Sequence, residues 1–112
     1  MAGEKNFENQ IKRYLQSVGV YPLGTPKHKM MVSPVGYYEK RHGSVFTKSG
    51  LPDMHICING KSIEAELKRE GGKPSELQLF MIEQINEAGG CGVIVYPRHF
   101  EKFKSLVEDY LR

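Results

Sequence analysis

Residues 50–78 read GLPDMHICINGKSIEAELKREGGKPSELQ. Two short apolar runs, MHICI (54–58) and SIEAEL (62–67), flank Asn59-Gly60. Both turn residues tolerate positive φ, so the pair is the strongest short signal for a β-hairpin. Side chains alternate across a strand. Ile63, Ala65 and Leu67 therefore share one face of the second run, and Glu64, Glu66 and Lys68 share the other. The apolar set must face a core, which lines the charged set along one surface. Residues equidistant from the turn stand roughly opposite each other. That count brings Asp53 beside the end of the second run, near Glu66 to Lys68.

Outward from the hairpin, GGKPSE breaks the chain, and Ser75 is a good N-cap for a helix over 76–88. Leu77, Phe80, Met81 and Ile85 form its apolar stripe, and Gly89-Gly90 ends it. CGVIVY (91–96) is a continuous apolar run, the mark of a central strand. HFEKFKSLVEDYLR (99–112) reads as a closing helix with Phe100, Phe103, Leu106, Val107 and Tyr110 turned inward. At the other end, residues 5–18 space Phe7, Ile11, Tyr14, Leu15 and Val18 as a helix, with Asn6 as N-cap and Gly19 as stop. Glu8 lies in its first turn, where the helix dipole favours an acid. A helix between the hairpin and the apolar run makes a crossover, so those two strands should be parallel. The fold class is α/β: a small mixed β-sheet flanked by helices, in one domain over residues 1–112.

The segment from Tyr21 to Gly50 is expected to be irregular. Three prolines and four glycines interrupt it, and Tyr21, Tyr37, Tyr38 and Phe46 alternate with cations. Lys27, Lys29, Lys40, Arg41 and Lys48 face only Glu39, a local surplus of +4 within a chain of net charge +3. Rings among cations suit nucleic acid, because bases stack while lysines meet phosphates. A solvated loop whose tyrosines cover the core edge fits the same composition.

Other classes are disfavoured. No apolar run approaches the roughly 20 residues that span a bilayer, so no membrane partner is expected. The opening MAGEKNFENQIKRYL has no secretory apolar stretch, and a cytoplasmic location is the default. Cys57 and Cys91 sit in apolar runs without CxxC spacing, which reads as buried free thiols and gives no zinc signature.

Two carboxylates as near as Asp53 and Glu66 repel unless a cation lies between them. Mg²⁺ accepts one or two carboxylates with waters and a phosphate oxygen, and a nearby lysine stabilises charge developing on phosphorus. The alternative is a half-exposed hairpin with one solvated, charged face.

GLPD, then Glu66-Leu67-Lys68 thirteen residues after the aspartate, then Ser75-Glu76-Leu77-Gln78 opening a helix, resembles the virus-type replication-repair nuclease (VRR-NUC) domain. That domain belongs to the PD-(D/E)xK nuclease superfamily, with a restriction-endonuclease-like fold. The likeness runs from Glu8 to the GVIVY strand. It implies that Asp53, Glu66 and the Leu67 carbonyl bind Mg²⁺ or Mn²⁺, and that Lys68 assists the attacking water. It also implies that Gln78 positions Lys68 or the water, and that Glu8 holds a water beside the ion. Glu64, on the same face as Glu66, is an extra acid that would compete for the ion or hold a second one. The implied activity is endonucleolytic hydrolysis of DNA phosphodiesters, on branched or four-way junction DNA, in a phage or prophage setting. Lys27, Lys29, Lys40, Arg41 and Lys48 would grip the DNA backbone. A homodimer is expected, pairing through Tyr37, Tyr38 and Val45-Phe46. Two rivals remain: a non-catalytic nucleic-acid-binding module on the same fold, and an interaction domain that uses its tyrosines as a protein interface.

Overall fold

The computed structural model describes residues 2–42 and 48–112. Helix α1 (Ala2–Ser17) leads into strand β1 (Val20–Pro22), a 3-10 turn (Lys27–Lys29) and strand β2 (Gly36–Lys40). The hairpin β3 (Met54–Ile58) and β4 (Lys61–Leu67) follows, then α2 (Glu76–Glu87), β5 (Gly92–Val95), a 3-10 turn (Pro97–His99) and α3 (Phe100–Leu111). The five strands form one sheet in the order β1-β2-β3-β4-β5. Its two outer pairs are parallel and its two inner pairs antiparallel, a mixed α/β sheet.

The hairpin turns where the sequence requires it. Asn59 and Gly60 both adopt positive φ, at 50° and 83°, as a two-residue turn between twisted strands demands. The resulting register pairs Met54 with Ala65 and His55 with Glu64. The crossover through α2 sets β5 parallel to β4, with Glu66 beside Ile94.

One face of the sheet carries the core. Met54, Ile56, Ile58, Ile63, Ala65 and Leu67 pack beneath Phe7, Ile11 and Leu15 of α1 and Phe103 and Val107 of α3. The other face carries Asp53, His55, Glu64 and Glu66, and α2 covers its β5 end.

Four expectations need correction. The first is that the apolar run 91–96 marks a central strand: it forms β5 at the sheet edge, covered by α2 on one face and by the core on the other. The segment 21–50 is not wholly irregular: it contributes most of β1, which begins at Val20, and all of β2. A three-residue strand ending on a proline and a Gly-Tyr-Tyr-Glu-Lys strand carry too little apolar alternation to stand out. Tyr38 belongs to the core rather than to an edge patch, and its hydroxyl accepts a hydrogen bond from Gln16 at 2.9 Å. Asn6 is no N-cap, since α1 has already begun at Ala2.

Helix α2 is rotated from its expected stripe. Ile82 and Ile85 meet the sheet at Gly92, where an added Cβ would lie 3.3 Å from each. Gln78 lies on that same side of the helix. Leu77, Leu79 and Phe80 are left exposed, at 42, 47 and 54%. The rotation points the amide of Gln78 at Glu66. Leu77 also touches the turn before Asp53: Gly50 has φ 82°, and a Cβ there would sit 2.6 Å from Leu77 Cγ.

Candidate active site

Asp53 and Glu66 stand one step past the last ladder pair of β3 and β4. The Asp53 N–H donates to Glu66 Oε1 at 3.2 Å, and the Leu67 N–H donates to Asp53 Oδ2 at 3.0 Å. Each acid thus accepts a main-chain donor from the opposing strand. The next residue across from Leu67 would be Pro52, which has no N–H, so the ladder cannot continue there. The Leu67 carbonyl consequently gains no donor from Pro52 beside the two acids.

Glu66 is 2% exposed, the one charged residue among the buried side chains described. Its Oε2 receives Lys68 Nζ at 3.2 Å and Gln78 Nε2 at 3.2 Å. Burial pushes the Glu66 carboxyl above its ordinary range, and the neighbouring Asp53 charge adds to the rise. The ammonium of Lys68 and the Asp53 N–H act against it. Such an acid gains more from a nearby cation than a solvated one does.

Gln78 reaches the site by way of the α2 N-terminus. Ser75 Oγ accepts from the Gln78 N–H at 3.1 Å, and Gln78 Oε1 accepts from the Ser75 N–H at 2.8 Å. This capping box fixes the amide, and Nε2 is left to point at Glu66. Gln78 therefore touches Glu66 at the same oxygen that holds Lys68, where it was expected to position Lys68 or the water.

Direct hydrogen bonds and an ion pair link Asp53, Glu66, Lys68 and Gln78, whereas Glu8 has lysines as its direct partners. It projects from α1 on the core side of the sheet, with Lys12 at 2.8 Å, Lys40 at 3.6 Å and Lys5 at 3.7 Å. Among the described residues no ion pair or hydrogen bond joins it to Asp53, Glu66 or Lys68. Partial burial raises its pKa, but the Lys12 hydrogen bond and the three lysine charges outweigh that and hold it below the ordinary value.

The expected DNA-gripping cations fall into two groups. Lys27, Lys29 and Lys48 are exposed. Lys40 pairs with Glu8, and Arg41 turns inward to Glu64 at 2.6 Å. His55 Nδ1 lies against the other oxygen of Glu64. Sequence reasoning missed this Arg41–Glu64–His55 group. The count from Asn59-Gly60 that opposes Asp53 and Glu66 also opposes His55 and Glu64. Arg41 was beyond that count, because it follows a strand that composition hid.

Among the described residues no group of three or more His, Cys, Asp and Glu side chains is arranged around a metal position. Two carboxylates and a backbone carbonyl, all oxygen, nevertheless match a hard cation that completes its shell with water and phosphate. Asp53, Glu66 and the Leu67 carbonyl fit that role. No helix among the described residues is long and apolar enough to cross a membrane. Comparison with protein-family models, with curated proteins and with solved structures returns no match.

Proposed function

We propose that the protein is a divalent-metal-dependent endonuclease that hydrolyses DNA phosphodiesters, with branched or four-way junction DNA as its substrate. One observation carries the reading. Asp53 and Glu66, thirteen residues apart, stand side by side with Lys68 and Gln78 on the buried acid. A merely solvated hairpin face does not bury a glutamate and surround it with three donors.

Mg²⁺ or Mn²⁺ held by Asp53, Glu66 and the Leu67 carbonyl would supply Lewis-acid polarisation of the phosphate. The chain's own residues do the remaining work. Lys68, anchored on Glu66, presents N–H donors at the mouth of the site. These orient a water for in-line attack and stabilise charge on the phosphoryl oxygens. Gln78 holds Glu66 Oε2 in place as Lys68 moves between acid and phosphate. Exposed Lys27, Lys29 and Lys48 contribute the sequence-independent attraction to the DNA backbone. Glu8 is held in place by Lys12 and Lys40, from where it would hold a water beside the ion. The sheet order and flanking helices are compatible with a restriction-endonuclease-like core. A second copy of the chain would supply the second cut on a two-fold junction.

The test is a panel of labelled single-stranded, duplex and four-way junction DNAs, with and without Mg²⁺ or Mn²⁺, against Asp53→Ala. Metal-dependent cleavage absent from the variant is expected. Binding without cleavage under every condition would leave a nucleic-acid-binding module, and the nuclease reading would fall.

A further inference from the structure

Arg41 directly follows β2, and its main-chain N–H donates to the Asp53 carbonyl at 2.6 Å. Its side chain, 28% exposed, folds back onto the protein through Nη1. Nη1 donates both to the Pro52 carbonyl at 2.8 Å and to Glu64 Oε1 at 2.6 Å. The other oxygen of Glu64 is taken by His55 Nδ1. Pro52 is buried and lacks an N–H, so the ladder cannot fix the residue before Asp53. Arg41 supplies that hold instead, from the side chain to Pro52 and from the main chain to Asp53.

We infer that Arg41 is a positioning residue for Asp53, with Glu64 as its anchor. The inference rests on the nuclease reading only where it concerns the metal. A guanidinium nitrogen carries two hydrogens in one plane, directed apart, which suits two acceptors on different segments, Pro52 before β3 and Glu64 on β4. An ammonium at the end of a flexible stem has the charge without that fork. Glu64 is thereby given a role. Both of its oxygens are committed to Arg41 and His55, so it neither competes with Glu66 for an ion nor prepares a second site. Arg41 is equally withdrawn from the phosphate backbone.

Two measurements test this on the full chain. The first is amide hydrogen exchange followed by NMR without metal. The Leu67 N–H, bonded to Asp53 Oδ2, reports whether Asp53 is in place. Arg41→Lys should speed Leu67 exchange by about tenfold, leaving Ile56 and Ile63 unchanged. The second is Mn²⁺ affinity by electron paramagnetic resonance, where Arg41→Lys should weaken binding by about tenfold or more. Glu64→Gln keeps an acceptor for Arg41 and should fall between the wild type and Arg41→Lys in both readouts. Unchanged Leu67 exchange in Arg41→Lys overturns the inference, whatever the metal result. A wild type that fails to bind Mn²⁺ sinks the metal reading, while the exchange data still decide the role of Arg41.

Discussion

Gln78 donates to Glu66 Oε2 at 3.2 Å while its own Oε1 accepts from the Ser75 N–H at 2.8 Å. One amide thus caps α2 and orients the buried acid, which couples helix stability to the site. The two roles separate by substitution. Gln78→Ala loses both and should cost about 1 kcal/mol, lowering Tm by about 4 °C. Gln78→Glu keeps the cap acceptor at a helix position that favours acids, so any fall in its Tm reports the new carboxylate against Glu66 rather than a lost cap. It loses the donor to Glu66 and brings a third carboxylate close, so cleavage should fall with both variants. A Gln78→Glu protein cleaving at the wild-type rate would remove Gln78 from the site.

Asp53→Ala, Glu66→Ala and Lys68→Ala should each abolish cleavage while the circular dichroism spectrum and DNA affinity hold. Glu64→Ala acts only through Arg41 and should hurt less. A Glu64→Ala variant that is dead beside an active Glu66→Ala would mean the motif is displaced by one strand repeat.

Metal removal should be visible without DNA. A ligand that binds only the folded state stabilises it by RT ln(1 + [L]/Kd), about 2.7 kcal/mol at 100 Kd. Mg²⁺ or Mn²⁺ should therefore raise Tm in the wild type, and the gain should vanish in Asp53→Ala or on adding EDTA. Ca²⁺, with looser geometry, should support DNA binding with little cleavage. Full cleavage in excess EDTA would end the metal mechanism.

How far the site was legible follows from where its residues lie. Asp53, Glu66 and Lys68 sit on a hairpin whose turn, Asn59-Gly60, fixes its own register, so counting from the turn sufficed. The α2 contact was less legible. Its apolar residues outnumber what the sheet can cover, and the helix settles with polar Gln78 inward because Glu66 needs a donor there. Arg41 was illegible as a brace because its reach depends on β2 lying beside β3, a long-range pairing that local pattern does not encode. Val45 and Phe46, expected at a dimer contact, lie outside the described residues.

Acid unfolding should depend on Glu8. Its folded pKa lies below the ordinary value, because Lys12, Lys40 and Lys5 together outweigh the opposing effect of burial. A depressed carboxyl contributes stability above its unfolded pKa and loses it as pH falls through the folded one. Glu8→Gln should therefore destabilise the protein at neutral pH and flatten the loss of stability below about pH 4.5. Parallel curves for wild type and variant would show that the lysine cluster adds nothing.

Salt dependence separates the cations. Lys27→Ala with Lys29→Ala should weaken binding to unrelated DNA sequences alike. The slope of log affinity against log salt should flatten by about 0.9 per lost duplex phosphate contact. Arg41→Ala should leave that slope unchanged, because its guanidinium is spent on Pro52 and Glu64. A shallower slope for Arg41→Ala would return it to the DNA backbone.

The proposed homodimer draws on a different face from the one expected. Tyr38 is in the core, and Tyr37 is half-buried against His55, their ring centres 5.9 Å apart. The outward side of α2 instead presents Phe80 at 54% exposure, flanked by Leu77 and Leu79. Single exposed apolar residues are ordinary, but these three fall within one turn of the helix that carries Gln78. A two-fold pairing through α2 would bury Phe80 against its own copy and set both sites beside one interface. Glu76, Glu83 and Glu87 lie exposed on the same helix, so the paired helices would repel through their carboxylates. Screening weakens that repulsion, and the dimer should tighten as salt rises, opposite to the trend for DNA. Light scattering at micromolar concentration should give twice the 12.7 kDa chain mass, and Phe80→Glu should give the monomer. A wild-type monomer would defeat the dimer, whereas a Phe80→Glu dimer would move the interface off α2.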